Sequence, residues 1–163
     1  MSHGNIVLRT NISHADTEFI RDIVSSTGFF RPDEILVAVE LAEERLAKGK
    51  SSGYEFVFAE IDGRVAAYSC FGLIPCSLIS WDLYWIATGK DFQNRGLGKL
   101  ILRKTEDIVR DAGGKTIYIE TSSKPLYKPT QDFYLRNQCE LIANFEDFYA
   151  IGDNKLVFCK KLF

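Results

Sequence analysis

The chain has 163 residues, of which 46% are hydrophobic and 26% are charged, and this is the composition of an ordinary globular protein. Its formal net charge of −2 at pH 7 argues against nucleic acid as a partner, because domains that bind nucleic acid usually carry a basic surface. No apolar stretch approaches the roughly 20 residues that a membrane-spanning helix needs, and nothing resembles a secretion signal, so we expect a cytoplasmic protein with no membrane partner.

The N-terminal half of the sequence predicts two helices placed between β-rich runs. Apolar residues recur at helical spacing in two segments, and the second segment opens with Pro32, a residue that the first turn of a helix tolerates. Asp62-Gly63 separates two β-rich runs, which is a strong hairpin signal. The predicted elements of this half are a strand at 6–9, helices at 16–27 and 32–49, and strands at 54–61 and 64–73.

The C-terminal half predicts a strand–helix–strand unit followed by a short helix and a strand pair. The predicted elements are a strand at 80–88, a helix at 96–112, a strand at 116–121, a helix at 131–137, and strands at 140–149 and 155–162. The strand–helix–strand unit requires a parallel strand pair with a right-handed crossover. Because no repeat or flexible linker divides the sequence, we predict one domain over residues 1–163, of the α/β (mixed α+β) class, with helices on both faces of a mixed sheet.

The loop before the predicted helix at 96–112 is the most informative segment. Two glycines, Gly96 and Gly98, stand where a strand has ended and a helix begins. Glycine lets the backbone approach a phosphate closely, and the first N–H groups of a helix carry a partial positive charge. Arg95 and Lys99 add cationic side chains. The segment therefore predicts an anion site for a phosphorylated ligand, although it matches neither a P-loop nor a dinucleotide fingerprint, which needs a third glycine where Ile101 stands.

The pattern that does match is Gln-x-x-Gly-x-Gly over Gln93–Gly98. It resembles the acetyl-CoA signature of the GNAT superfamily of N-acetyltransferases, and the predicted element order is similar to the order of that fold. The resemblance implies a mostly antiparallel sheet with a central, splayed parallel strand pair. It also implies acetyl-CoA as acyl donor, with its pyrophosphate on six residues of the loop and helix start: Gln93, Asn94, Arg95, Gly96, Leu97 and Gly98, with Lys99 beside them.

The resemblance implies further site residues on the neighbouring strand and helix. Backbone groups of Ile86, Ala87 and Thr88 would bind the pantetheine arm, and the Ile86 N–H would stabilise the tetrahedral intermediate. Tyr134, in the Phe133-Tyr134 pair, would protonate the leaving thiolate. The alternative for Tyr134 is a packing residue with a satisfied hydroxyl.

A general base is sought among carboxylates, because the only histidines are His3 and His14, both near the N-terminus. Asp82 lies at the offset from Gln93 where some members of the superfamily have a base, and strand alternation puts it on one face with Tyr84 and Ile86. The alternative for Asp82 is a solvated carboxylate at a strand edge. Glu120, near the end of the parallel neighbour, is the substitute base or an amine-binding residue.

Aromatic residues outside the loop supply the remaining candidates. Phe29 and Phe30 join the first two helices, where superfamily members shape the acceptor site, and we place them with Tyr84 as substrate-binding residues; packing under the sheet is the alternative for the pair. A further set is expected to fill the core or to form a dimer contact, so a homodimer is a possible assembly. Its members are Phe145, Phe148 and Tyr149.

No metal is expected, because the four cysteines are not spaced for zinc or for a redox pair and we take them as reduced thiols; they are Cys70, Cys76, Cys139 and Cys159. The function that follows is transfer of an acetyl group from acetyl-CoA to the primary amine of a small molecule, amino acid or peptide, by direct attack. Two alternatives stay open: a CoA-binding regulatory module without turnover, and a GNAT-fold enzyme that uses a longer acyl-CoA.

Overall fold

The computed structural model describes residues 4–163, and this part of the chain contains seven strands and four helices. The strands are β1 (Ile6–Arg9), β2 (Glu55–Ile61), β3 (Arg64–Leu73), β4 (Ser80–Thr88), β5 (Thr116–Ser122), β6 (Glu140–Ala150) and β7 (Asp153–Lys161). The helices are α1 (Ala15–Ser26), α2 (Pro32–Lys48), α3 (Leu97–Asp111) and α4 (Lys128–Arg136). The element order is the order that the sequence predicts.

The strands form one sheet in the order β1-β2-β3-β4-β5-β7-β6. The pair β4–β5 is parallel, whereas β1–β2, β2–β3, β5–β7 and β6–β7 are antiparallel. The parallel ladder runs from Ser80 and Thr116 to Leu83 and Ile119, although β4 continues to Thr88 and β5 to Ser122. The predicted mixed sheet with a splayed parallel pair is confirmed.

Contacts divide the chain into two compact units, which we describe separately. The first unit comprises the described residues up to Gly72 together with Trp85–Asp107, and the second comprises Leu73–Tyr84 and Ile108–Phe163. The prediction of one domain over the whole chain stays a prediction.

In the first unit, β2 and β3 form the predicted hairpin and carry helices on both faces. Asp62 and Gly63 have positive φ angles of 49° and 78°, as a tight two-residue turn requires. On one face, Tyr68 packs with residues of α1 and α2 in a buried apolar cluster. On the other, Ser69 shares a buried hydrogen bond of 2.8 Å with Thr105 of α3. Alternation along β3 therefore sends successive side chains to two helical layers.

In the second unit, β5 lies between β4 and β7, and α4 covers one face. The Tyr134 ring of α4 lies 5.5 Å from the Phe158 ring of β7, between centroids. Burial alternates along β5: Ile117 and Ile119 are buried, whereas Tyr118 is half-buried and Glu120 is exposed. The face opposite to α4 is therefore open within this unit.

In this unit α4 and β7 each start two or more residues earlier than predicted, each for a local reason. Helix α4 begins at Lys128 rather than at 131, because Pro129 occupies the first turn, where its missing N–H is harmless. Strand β7 begins at Asp153 rather than at 155, because Asp153 is buried and accepts a hydrogen bond from the Ser122 hydroxyl. Gln131 Nε2 also donates to the Ser122 carbonyl oxygen at 2.9 Å, which fastens α4 to β5.

No helix within residues 4–163 is both long enough and apolar enough to cross a membrane.

Candidate active site

The segment between β4 and α3 is anchored at its start to two other elements of the first unit. The Gly89 N–H donates to the Ala66 carbonyl oxygen of β3 at 2.9 Å, and the Lys90 N–H donates to Ser26 Oγ of α1 at 3.1 Å. A short 3-10 turn over Lys90–Phe92 follows. These bonds hold the start of the Gln93–Gly98 loop in a fixed position. Ser26 was not predicted for this role, because its bond joins residues 64 positions apart in the sequence.

The loop itself has the backbone of an anion cradle. Asn94 and Gly96 have positive φ angles of 61° and 78°. A Cβ built on Gly96 would meet no atom within 4 Å, so open space lies in front of this backbone. Gln93, Asn94, Arg95 and Gly96 are all exposed. Successive backbone N–H groups turned by such a conformation form a concavity that suits a phosphate.

The start of α3 adds positive potential to this cradle. The helix begins at Leu97, which is buried and fixes the first turn against the core, and that turn carries no acidic residue. The first N–H groups of a helix lack acceptors within the helix and carry a partial positive charge. Lys99 is exposed. The arrangement fits a diphosphate.

Cations and an aromatic ring flank the loop. Arg95 Nη2 donates to the Asp91 carbonyl oxygen at 3.1 Å, and its guanidinium carbon lies 5.6 Å from the centre of the Phe92 ring. Arg64 lies over the same ring at 5.3 Å. Two guanidinium groups therefore lie near one exposed loop. In the part of the chain that the structure describes, no carboxylate side chain is bonded to Arg95, which leaves its charge available to an anion.

The end of β4 carries the backbone groups expected to bind the pantetheine arm. Ile86, Ala87 and Thr88 lie beyond the parallel ladder, which ends at Leu83. The Thr88 carbonyl oxygen accepts a long hydrogen bond of 3.4 Å from Gln93 Nε2, so the first residue of the loop pattern also contacts the end of the strand. The predicted roles of these three residues stay predictions.

In the second unit, the structure brings the two candidate carboxylates together. Asp82 lies opposite Tyr118 in the parallel ladder, and Glu120 follows Tyr118 by two residues, so both acids share the open face. Burial, followed by the like charge of Glu120, raises the pKa of Asp82 above its ordinary value. Within residues 4–163 no hydrogen bond or ion pair holds the Asp82 carboxylate. An unpaired, half-buried acid with a raised pKa is typical of a base near a ligand.

Tyr134 is placed on the opposite face from these acids. Its ring is buried between Phe133, at 5.6 Å, and Phe158, at 5.5 Å between centroids. Burial, followed by the charge of Cys139, raises the pKa of its hydroxyl. The hydroxyl is therefore protonated near neutral pH and is able to donate a proton, but the structure does not place it beside Asp82 or Glu120.

The aromatic candidates divide between the two units. In the first unit, Phe29 and Phe30 are half-buried, their rings lie 6.4 Å apart, and Phe30 packs at 4.9 Å against Trp85 beside the apolar cluster. Phe30 therefore has a packing role whether or not it touches an acceptor. In the second unit, Tyr84 is exposed on the strand that carries Asp82. Substrate binding by these three residues stays a prediction.

The expectation that Phe145, Phe148 and Tyr149 fill the core is wrong. They are 50%, 54% and 46% exposed, because β6 is an edge strand of the sheet. Their role in a dimer contact stays a prediction. Sequence reasoning also missed Lys155, whose ammonium lies 3.3 Å from Glu120 Oε1. Only the register of β5 with β7 reveals this pair.

Histidine, acidic and cysteine side chains are the remaining groups that could bind a metal or form a disulfide. No group of three or more His, Cys, Asp or Glu side chains that could hold a metal occurs in the part of the chain that the structure describes. His3 lies outside the described residues, and His14 immediately precedes α1. All four cysteines are free, with three buried and Cys76 exposed.

Comparison with known proteins agrees with this architecture. The chain matches a crystal structure from Desulfovibrio desulfuricans, assigned to the GNAT family of acetyltransferases, with a TM-score of 0.96 and 38% identity over 98% of this chain and 100% of that one. It also matches the ribosomal-protein-S18-alanine N-acetyltransferase of Escherichia coli, with a TM-score of 0.77 and 16% identity over 97% of this chain and 94% of that one. At such low identity the second likeness shows the fold alone.

A third solved structure, an aminoglycoside 6′-N-acetyltransferase in complex with coenzyme A, matches with a TM-score of 0.74 and 14% identity over 96% of this chain and 97% of that one. A comparison with curated proteins finds no significant match. The order of the strands and the Gln93–Gly98 loop are together those of an acetyltransferase domain. A sequence profile described as Acetyltransferase (GNAT) family matches residues 18–138, and the chain belongs to that family.

Proposed function

We propose that this protein transfers an acetyl group from acetyl-CoA to a primary amine of a small molecule, amino acid or peptide. The observation that carries the proposal is the Gln93–Gly98 loop, whose exposed backbone and open space at Gly96 lead directly into the start of α3. A diphosphate is the part of CoA that such a cradle suits. A relative of the same fold was solved with coenzyme A, which supports this choice of ligand.

Residues of the first unit bind and orient the donor in this proposal. The backbone from Gln93 to Gly98, with Arg95 and Lys99, holds the pyrophosphate, and Ile86, Ala87 and Thr88 hold the pantetheine arm through backbone groups. Acetyl-CoA supplies an activated thioester to a nucleophile. The Ile86 N–H donates to the carbonyl oxygen as negative charge develops on it in the tetrahedral intermediate.

Residues of the second unit accept and donate protons in this proposal. An ammonium group has no free electron pair, so the acceptor must lose a proton before its nitrogen attacks. Asp82 accepts that proton directly or through water, and its raised pKa makes it a stronger base than an ordinary aspartate. Tyr134, whose hydroxyl is protonated at neutral pH, donates that proton to the departing thiolate.

The unpaired carboxylate of Asp82 favours an enzyme over a CoA-binding regulatory module, because a module that only holds CoA needs no half-buried acid without a partner. Thiol release from acetyl-CoA in the presence of a panel of primary amines tests the proposal. We expect amine-dependent release of free CoA together with an acetylated product identified by mass. Tight CoA binding with no release for any amine would favour the regulatory module.

The same assay tests whether the protein prefers acetyl-CoA or a longer acyl-CoA as its donor. Acetyl-CoA, propionyl-CoA and hexanoyl-CoA are compared at equal concentration with one accepted amine. The proposal expects the highest kcat/KM with acetyl-CoA, and a maximum at hexanoyl-CoA would assign the chain to the enzymes with longer donors.

A further inference from the structure

Ser26, the last residue of α1, makes two hydrogen bonds through one side-chain hydroxyl. The O–H donates to the Ile23 carbonyl oxygen at 2.7 Å, and Oγ accepts the Lys90 N–H at 3.1 Å. A hydroxyl carries one proton and two lone pairs, so the bond inside α1 uses the proton and leaves a lone pair for Lys90. Ser26 is half-buried and ties the end of α1 to the segment that leads into the donor loop.

The Lys90 N–H needs an acceptor from outside its own turn. Lys90 opens the 3-10 turn Lys90–Phe92, and the first N–H groups of a helical turn have no partner within it. Ser26 Oγ supplies that partner from another element. Because the Gln93–Gly98 loop begins directly after this turn, the Ser26 hydroxyl helps to fix the backbone on which the loop is built.

The end of α1 also lies against the backbone just before the turn. A Cβ built on Gly89 would lie 3.7 Å from Ile23 Cγ1 and 3.4 Å from the Ala66 carbonyl oxygen. The Gly89 N–H donates to that same carbonyl oxygen at 2.9 Å. Gly89 is therefore held between β3 and α1, and a shift at the end of α1 would reach the start of the turn.

A second hydroxyl of the same kind begins the loop at 27–31, which joins α1 to α2. Thr27 Oγ1 donates to the Val24 carbonyl oxygen at 2.8 Å and accepts the Phe29 N–H at 3.4 Å. Like Ser26, Thr27 gives its proton to the helix and its oxygen to an N–H beyond it. Two adjacent hydroxyls at one helix end therefore hold the two segments, Ser26 the one that leads to the donor loop and Thr27 the one where the acceptor is expected.

Phe30 gives the loop at 27–31 a contact with β4 as well. Its ring centroid lies 4.9 Å from that of Trp85, and both residues pack against the buried apolar cluster of the first unit. This contact belongs to the packing of the core and does not end on the Gln93–Gly98 loop. The bond from Ser26 to Lys90 does lead to that loop, which makes it the direct link between the two binding segments.

We propose that Ser26 is a positioning residue that couples the two segments: it holds the Gln93–Gly98 loop in the conformation that binds CoA, and bound CoA in turn steadies the loop at 27–31 for the acceptor. The inference rests on the proposed function and deepens it. A loop that is already in its binding conformation gives up fewer alternatives when the ligand binds, so the affinity is higher. Such coupling is reciprocal, because each segment stabilises the other by the same free energy.

The first test measures the dissociation constant of CoA for the intact protein by titration calorimetry. Ser26→Ala removes the hydroxyl, so the dissociation constant should rise about 3- to 10-fold, the range that the loss of one hydrogen bond gives. Ser26→Thr keeps a hydroxyl that can bond to a carbonyl of the preceding turn, so it should bind CoA as the unmodified protein does. The matched control is Ser25→Ala, which removes the same atom from the exposed neighbouring position.

The second test follows the coupling by hydrogen–deuterium exchange and mass spectrometry, with and without saturating CoA. In the unmodified protein, CoA should slow exchange in peptides from both segments, residues 89–98 and residues 27–31. In Ser26→Ala, at a concentration of CoA that again saturates the protein, the protection should remain at 89–98 and be lost at 27–31. A merely structural role for Ser26 would alter exchange in the free protein and leave the effect of CoA on both segments unchanged.

The outcomes separate the inference from the function on which it rests. An unchanged dissociation constant in Ser26→Ala overturns the inference and leaves the acetyltransferase proposal intact. The same holds if Ser26→Thr, at an unchanged melting temperature, binds CoA as weakly as Ser26→Ala. Protection at 27–31 that is absent in the unmodified protein, or that survives in Ser26→Ala, also overturns the inference alone. No binding of CoA by the unmodified protein overturns both.

Discussion

Asp82 on β4 and Glu120 on β5 project from adjacent parallel strands to the same face, and the charge of Glu120 adds to burial in raising the pKa of Asp82. Such a pair makes the ionisation of Asp82 sensitive to the charge of Glu120. The charge and burial of Asp82 should therefore affect the pH dependence of the rate and the stability of the folded protein, and the charge of Glu120 should affect the pKa of Asp82.

Asp82→Asn should remove the acidic limb of the pH–rate profile. In the unmodified protein, kcat/KM falls as pH decreases through the pKa of Asp82, which lies above its ordinary value of 3.8. Asn keeps the size of the side chain and loses the proton acceptor, so the rate should drop and then recover in part at high pH, where free amine exists without a base. An unchanged limb and rate in the variant would place the base elsewhere.

Glu120→Gln tests the coupling between the two acids. Removing the negative charge makes the Asp82 anion easier to form, so the pKa of Asp82 should fall and the acidic limb should move to lower pH. The direction is read from kcat/KM measured over pH with one amine. A limb that moves to higher pH, or the loss of all activity, would show that Glu120 acts as the base itself.

Asp82→Asn should also stabilise the folded protein at neutral pH. Because the folded-state pKa of Asp82 is raised, the acid is protonated in both states below its ordinary pKa and costs nothing there, whereas above the folded-state pKa the native state holds a poorly solvated anion. The gain in the free energy of unfolding should therefore be present at pH 7 and vanish as pH falls below about 3.8. Urea unfolding at the two pH values measures it, and a variant that is less stable at pH 7 contradicts the burial of an unpaired charge.

Tyr134→Phe should lower turnover about 100-fold and leave CoA affinity nearly unchanged, because a group that protonates the leaving thiolate acts mainly in the transition state. The matched control is Tyr68→Phe, which removes a buried hydroxyl without a hydrogen-bond partner among residues 4–163, so turnover should stay the same. Single-turnover rates keep product release from masking the effect. Equal rates for Tyr134→Phe and the unmodified protein would leave Tyr134 as a packing residue.

The sequence predicted the structural features that depend only on residues adjacent to each other in the chain. The Gln93–Gly98 loop and the Asp62-Gly63 turn depend on glycines and on neighbouring residues, and both are present. Alternation also predicted the common face of Asp82 and Tyr84. The Lys155–Glu120 pair was not predicted, because it depends on which residues of β5 and β7 stand opposite each other over 35 positions of sequence.

The edge position of β6 was a second property that the sequence did not predict. Phe145 and Phe148 have the composition of core residues, and only the place of β6 at the sheet edge leaves them half-exposed. The start of α4 was also missed, because Pro129 lies within the first turn of the helix, where its missing N–H is tolerated. Edge position and long-range register are properties of the assembled sheet, and a single sequence does not contain a local signal for them.

The claim that the Gln93–Gly98 loop binds CoA is tested most directly by the effect of CoA on thermal stability. A ligand that binds only the folded state raises the melting temperature. Gly96→Glu places a side chain and a negative charge in the open space before the loop. Gly63→Glu is the matched control, because both glycines have a φ of 78° and no atom within 4 Å of an added Cβ. The account predicts that millimolar CoA raises the melting temperature of the unmodified protein and of Gly63→Glu but not of Gly96→Glu. No shift in the unmodified protein, or an equal shift in all three, would contradict it.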